Sequence, residues 1–236
     1  MTARQLRIPP RFNGPPNSGN GGYSCGLVAA QFHGTTRVRL HSPPRLDTDF
    51  TVRENPDGTV ALLDGETLVA SGALAELDMD VPRAPTLEMA RRGTEGFICY
   101  DDHLYETCFV CGPRRPHKDG LALYPGPVAD WSLLACPWDP AADLLDESGF
   151  VRPEIVWAAL DCPGCFGAVG PELVPMLLGE LVADLRAPVP GDETLVVFAW
   201  PIGRDGRKIY GGAAVANQSG EVLACSRSTW IVLKQA

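Results

Sequence analysis

The sequence has no uncharged apolar run close to the roughly 20 residues that a membrane helix needs, and Met1 to Gly22 lacks the apolar centre of a signal peptide. Both absences point to a soluble, cytoplasmic protein with no membrane partner. Positive charge is also short: 20 Lys and Arg stand against 29 Asp and Glu, for a formal charge of −9 and an isoelectric point near 4.9. Such an average field repels a phosphate backbone and excludes nucleic acid as the main partner. Histidine is scarce, and His33, His41, His103 and His117 have no metal-ligand spacing, which argues against a histidine-based metalloenzyme. There is no Walker-type loop, no Rossmann glycine fingerprint and no Gly-x-Ser-x-Gly elbow. Nucleotide hydrolysis, hydride transfer and an α/β-hydrolase triad therefore have no support.

What is present suits a folded chain. At 236 residues, with 45% hydrophobic and 21% charged side chains, it can bury one large core or two smaller ones. Gly 25 and Pro 22 leave little room for long helices and favour many strands joined by turns. Eight cysteines without an export signal read as reduced thiols or a metal site rather than a disulfide framework.

Arg11 to Gly26 is a loop rich in Asn, Gly and Pro that leads into the apolar Leu27 to Phe32, and Asn20-Gly21-Gly22 is a helix entry. Strands are expected at Arg37 to His41, Phe50 to Glu54, Thr59 to Leu63 and Thr67 to Leu77. Pro43-Pro44, Pro56-Asp57-Gly58 and Asp64-Gly65 separate them. Asp78 to Glu106 reads as a connection holding a short helix, Thr86 to Arg92, closed by Gly93, which divides the chain into residues 1–97 and 98–236. The second part opens with Cys108-Phe109-Val110-Cys111-Gly112, a basic loop from Arg114 to Lys118 and a strand candidate, Gly120 to Tyr124. A Pro-rich, acidic stretch, Pro137 to Glu147, precedes a helix over Ile155 to Leu160 with Pro153 in its first turn, and Asp161 is placed in that helix. Further strands are expected at Leu177 to Arg186, Thr194 to Ile202, Lys208 to Ala216 and Glu221 to Leu233. The halves echo each other: Pro43 and Asp47 match Pro188 and Asp192, and Gly65-Glu66-x-Leu68-x-x-Ser71 matches Gly220-Glu221-x-Leu223-x-x-Ser226.

Four features could carry chemistry. Asp161 ends an apolar run, and a carboxylate there either faces a polar cleft, where burial raises its proton affinity toward that of a general base, or bonds nearby backbone at a helix end. Asn20-Gly21-Gly22-Tyr23 offers exposed N–H groups at a helix start, suited to an oxyanion, or is an ordinary glycine turn. Cys108-x-x-Cys111 and Cys162-x-x-Cys165 could supply four thiolates to a structural zinc. Their separation is long for a zinc ribbon, and small buried thiols also pack well, so no metal is assigned. Cys162-Pro-Gly-Cys165 looks like a redox motif, but it follows a helical run instead of opening one. Arg114, Arg115, His117 and Lys118 form a basic loop in an acidic protein, able to hold the nucleotide end of coenzyme A or simply solvated.

One helix followed by a meander, twice over, with Cys108-Phe-Val-Cys-Gly112 and Asp119-Gly120-Leu121 before the second copy, resembles the hotdog superfamily, and within it the PaaI-like acyl-CoA thioesterases. The resemblance implies an α+β fold of two tandem hotdog units, each a curved antiparallel sheet around one helix, with the site at their interface. It implies that Asn20, Gly21 and Gly22 match the family's His-Gly-Gly turn, with Asn in the His place, and that Asp161 matches its catalytic carboxylate. Ala29 stands where the first copy's carboxylate would be, and Arg152-Pro153-Glu154 where the second copy's glycine turn would be. One composite site and one degenerate site follow.

On that reading the chain hydrolyses an acyl thioester. Asp161 acts as general base or nucleophile, Asn20 positions the carbonyl, and the N–H groups of Gly22 and Tyr23 hold the oxyanion, with Gly21 beside them. Asn13, Arg114, Arg115 and Lys118 contact substrate, and coenzyme A enters only as part of that substrate, with no other cofactor. A homodimer of tandem chains stays open. The rival reading is a hotdog protein that binds acyl-CoA or another small hydrophobic ligand without turning it over; it is favoured by the missing histidine and the one-sided site.

Overall fold

The computed structural model describes residues 4–172 and 174–233. The first half contributes β1 (Arg4–Arg7), α1 (Gly21–Ala29), β2 (Thr36–Leu40), β3 (Asp49–Glu54), β4 (Val60–Asp64) and β5 (Thr67–Leu74). α2 (Leu87–Glu95) and then β6 (Gly126–Ala129), β7 (Leu133–Trp138), α3 (Pro153–Ala159) and α4 (Cys162–Val169) follow. The chain ends in β8 (Met176–Leu185), β9 (Leu195–Asp205), β10 (Lys208–Ala216) and β11 (Val222–Val232). The turn residues act as their chemistry requires. Gly58 and Gly65 take positive φ at the β3–β4 and β4–β5 turns, and the Asp57 carboxylate accepts from the Thr59 N–H and hydroxyl. Asn217 accepts from the Ser219 and Glu221 N–H groups and closes the β10–β11 turn.

All the strands belong to one antiparallel sheet, ordered β1-β3-β4-β5-β2-β8-β11-β10-β9-β7-β6. The two halves of the sheet join where β2 pairs with β8, from Thr36 opposite Ala183 to Arg39 opposite Glu180. Counted outward from that seam, β2, β5, β4, β3 and β1 meet β8, β11, β10, β9 and β7 in the same sequence. The echoed motifs obey this correspondence. Gly65-Glu66 and Gly220-Glu221 lead into β5 and β11, and Asp47 and Asp192 precede β3 and β9.

The helices lie on one another and on the sheet. α1 is apolar nearly all round because it is buried nearly all round, with Tyr23, Cys25 and Val28 in the core. α3 buries Ile155, Val156, Trp157 and Ala158. Small residues set the spacing: a Cβ on Gly26 would stand 2.6 Å from the Glu154 Cα, and one on Gly167 would stand 2.7 Å from the Trp200 nitrogen. No helix among the described residues is long and apolar enough to cross a membrane.

Several expectations need correction. α2 runs through Gly93 and stops at Gly96. Gly93 is a contact residue, where a Cβ would meet the Ala135 carbonyl oxygen at 2.7 Å. Gly120 to Tyr124 forms no strand. Ala122 has φ +52, and only irregular bonds run from Leu121 and Leu123 N–H to the Phe109 and Val110 carbonyls. Asp161 is outside α3. It sits at the joint with α4, and Cys162-Pro-Gly-Cys165 opens that second helix, with Pro163 in the first turn where its missing N–H costs nothing. β1, β6 and β7 were not expected.

Candidate active site

Asn20 caps α1 by accepting the Tyr23 N–H on its Oδ1 at 2.9 Å, as an asparagine ahead of two glycines should. This turns its Nδ2 outward to donate to Asp161 Oδ2 at 2.8 Å, and the Gly22 N–H donates to the same oxygen at 2.8 Å. A residue from the α3–α4 joint is thus bound at the positive end of α1, 141 positions away in sequence. Asp161 is 3% exposed, and its Oδ1 is buried with no hydrogen-bond partner. Burial is the main reason its carboxyl is pushed up to about 7; the Gly22 amide pulls the other way, the Cys108 charge adds to the rise, and Asn20 opposes it.

The glycines allow this approach. A Cβ on Gly22 would stand 2.4 Å from the Trp157 carbonyl oxygen and 2.6 Å from the Asp161 Cβ, so no other residue lets α1 come this near. Gly21 faces Leu178 and Asp161, at 2.9 and 3.4 Å from where its Cβ would be, and is half-buried. The two amides expected to hold an oxyanion have partners inside the protein: Gly22 N–H binds the carboxylate and Tyr23 N–H the cap. The Gly21 N–H has no hydrogen-bond partner among the described residues. The Tyr23 ring stacks on Phe12 at 4.0 Å and its hydroxyl is pushed up to about 12, chiefly by burial, which makes it a packing side chain. Ala29 is buried among apolar groups, and Arg152 pairs with Glu154 at 3.4 Å.

Of the other expected site residues, Asn13 adjoins the Asn20 turn through its bridge to Gly19, and the three basic ones are engaged or exposed in the 114–118 loop. Arg115, 9% exposed, donates to Asn13 Oδ1 and the Thr107 carbonyl at 2.6 Å, to the Arg11 carbonyl at 2.8 Å and to Asp119 at 2.6 Å. Asn13 and Arg115 thereby clamp the N-terminal loop onto the Cys108–Asp119 loop. Arg115→Ala is expected to cost about 2 kcal/mol, because four acceptors, the buried Asn13 Oδ1 among them, lose their donor, and chemical denaturation would measure it. Arg114 pairs with Glu106, and Lys118 is exposed at φ +64. Cavities of about 210 and 500 Å³ lie along β9, beside Glu172 and beside Asp78, away from Asp161.

The sequence reading grouped Cys108, Cys111, Cys162 and Cys165 as possible zinc thiolates, and the structure brings three of the four together. The Cys108 and Cys162 sulfurs are 3.7 Å apart, Cys111 is in the same group, and Asn20 Nδ2 is 3.9 Å from the Cys162 sulfur. The signal was the two C-x-x-C pairs; the fold that joins them was not readable from their spacing.

No family model matches the sequence, and no curated protein matches it. Solved structures do match in fold. The tesB protein of Mycobacterium avium subsp. paratuberculosis superposes with a TM-score of 0.64 at 11% identity, over 98% of this chain and 92% of that one. Acyl-CoA thioesterase II TesB2 from Mycobacterium marinum gives 0.60 at 14% identity, over 93% and 91%. A conserved protein of unknown function with hot dog fold from Alicyclobacillus acidocaldarius gives 0.59 at 12% identity, over 100% and 96%. The chain has a hotdog-type fold along its whole length.

Proposed function

We propose that the chain is a tandem of two hotdog units, residues 1–97 and 98–236, that hydrolyses an acyl-CoA thioester of the PaaI-like kind at Asp161. The observation that carries this is the Asp161 carboxylate held on one oxygen by α1 while its other oxygen is buried and unpaired. The mirrored strand order supports the tandem, and whole-chain likeness to solved thioesterases supports the reaction class.

In the proposed reaction Asp161 Oδ1 takes a proton from water as that water attacks the thioester carbon, or attacks the carbon itself to form an acyl anhydride that water then hydrolyses. On either route the carbon–sulfur bond breaks and the thiolate leaves with a proton. Asn20 and Gly22 fix the carboxylate from behind, so its orientation is set before substrate arrives. With Gly22 and Tyr23 amides engaged, Gly21 N–H is the proposed donor to the oxyanion, at the positive end of α1. Arg114 and Lys118 are the proposed contacts for coenzyme A phosphates; Arg115 is held inside by its clamp.

Incubation with a panel of acyl-CoA esters and detection of free thiol tests the reading. Thiol release above the buffer rate supports it. Binding of the esters with no release overturns it in favour of a ligand-binding hotdog protein. A single turnover in heavy-oxygen water then tests the nucleophilic route, since label in the Asp161 side chain arises only when water opens an anhydride at the Asp161 carbon.

A further inference from the structure

The loop Cys108-Phe109-Val110-Cys111-Gly112 folds tightly around a sulfur. The Gly112 N–H returns to the Cys108 carbonyl at 2.9 Å, and a Cβ on Gly112 would stand 2.5 Å from the Cys108 nitrogen, so this turn tolerates no side chain there. Phe109 and Val110 are fully buried, and their carbonyls bind Leu121 and Leu123, which fixes the loop on its far side. The Cys108 sulfur stands 3.7 Å from that of Cys162, and the Cys111 sulfur lies in the same group. Cys162 reaches the same place from the first position of α4.

The sulfur spacing is too long for a disulfide and fits thiolates that share one zinc. A disulfide would bring two sulfurs to about 2.05 Å. Two thiolates bound to one tetrahedral zinc, at about 2.3 Å per bond, stand about 3.8 Å apart. Cys108 and Cys162 are 3.7 Å apart, all three sulfurs lie within 4.8 Å of one another, and all eight cysteines are free. Inert packing thiols need no such convergence of three sulfurs from two distant segments.

We propose that Cys108, Cys111 and Cys162 form a structural zinc site that pins the 106–125 loop to the start of α4, with Cys165 as fourth ligand. Cys165 lies three residues beyond Cys162, the spacing of a C-x-x-C ligand pair, and its sulfur, outside the three-sulfur group, joins by side-chain rotation. Binding releases the thiol protons and leaves the metal's oxidation state unchanged. Because Cys162 adjoins Asp161, the ion would also hold the backbone that carries the carboxylate. The inference does not depend on thioester hydrolysis.

The test is metal content of the reduced full-length protein purified without chelator. About one zinc per chain is expected, lost on Cys108→Ser and kept on Cys136→Ser, a buried cysteine outside the group. Chelator treatment of the wild type is expected to lower the melting temperature by at least about 5 °C, with recovery on adding zinc chloride. Should the serine variant not fold, cobalt(II) added to the stripped wild type must give thiolate charge-transfer absorption. Cys165→Ser should weaken zinc binding by more than the roughly 10–100-fold that loss of an outer-shell partner costs; unchanged affinity overturns the four-thiolate form. Wild-type protein with less than about a tenth of a zinc and no cobalt band, or with a Cys108–Cys162 disulfide in its place, overturns the site. None of these readouts uses enzymatic activity.

Discussion

Asp161→Asn should reduce kcat for acyl-CoA hydrolysis by about 10³-fold and leave KM within about threefold. The amide matches the carboxylate in shape, and its oxygen can still accept from Gly22 N–H and Asn20 Nδ2, both at 2.8 Å in the wild type. What disappears is the basic, unpaired Oδ1. The substitution removes the cost of desolvating a buried carboxylate and leaves one amide N–H unpaired in its place, so the variant should melt near the wild-type temperature. Lower activity joined to nearly unchanged stability is the signature of a carboxylate that serves the reaction and not the fold. Steady-state kinetics with thiol detection, beside a thermal melt, measures both. Turnover within tenfold of wild type would remove Asp161 from the mechanism.

That carboxylate was legible in the sequence because Ile155 to Leu160 is apolar throughout and Asp161 is not. Its partner turn was legible as a helix start, since Asn followed by two glycines both caps and clears space. The role of the amides was not: Gly22 N–H points at a side chain 139 positions on, and no local pattern contains that. Most strands could be read from turn residues between apolar runs. β7 was hidden because Pro137 argues against a strand, yet β6 reaches only Ala135, so Pro137 sits where β7 has no outer neighbour to bond. β1 was hidden because Arg-Gln-Leu-Arg at a sheet edge has little apolar surface to show. α4 was hidden because Pro163 and Gly164 read as breakers. Pro163 falls in the first turn, and Gly164 is where α4 meets the sheet, its carbonyl oxygen 2.1 Å from where a Cβ on Gly211 would be.

Gly22→Ala should destabilise the protein by about 3 kcal/mol and abolish the proposed hydrolysis. At an exposed helical position the same change would stabilise by up to about 1 kcal/mol, so the sign depends on what the methyl group meets. Here it meets the Trp157 carbonyl oxygen at 2.4 Å, the Asp161 Cβ at 2.6 Å and the Ala158 Cα at 3.0 Å, none of them the end of a flexible side chain. α1 must then move off α3, which draws the Gly22 N–H and the Asn20 cap away from Asp161. Gly26→Ala is the control: its methyl would meet the Glu154 Cα at 2.6 Å and the Trp157 Cβ at 2.9 Å, one turn further along the same helix contact. Both variants should lose stability in denaturant melts. Gly26→Ala, in the fraction that stays folded, should keep a measurable rate, because its clash is one turn from the carboxylate. Equal loss of activity in both would mean that the rate follows helix packing in general. An unshifted melt for Gly22→Ala would mean that α1 and α3 are not held at this separation, and with it would go the hydrogen bond that places Asp161 at the helix start.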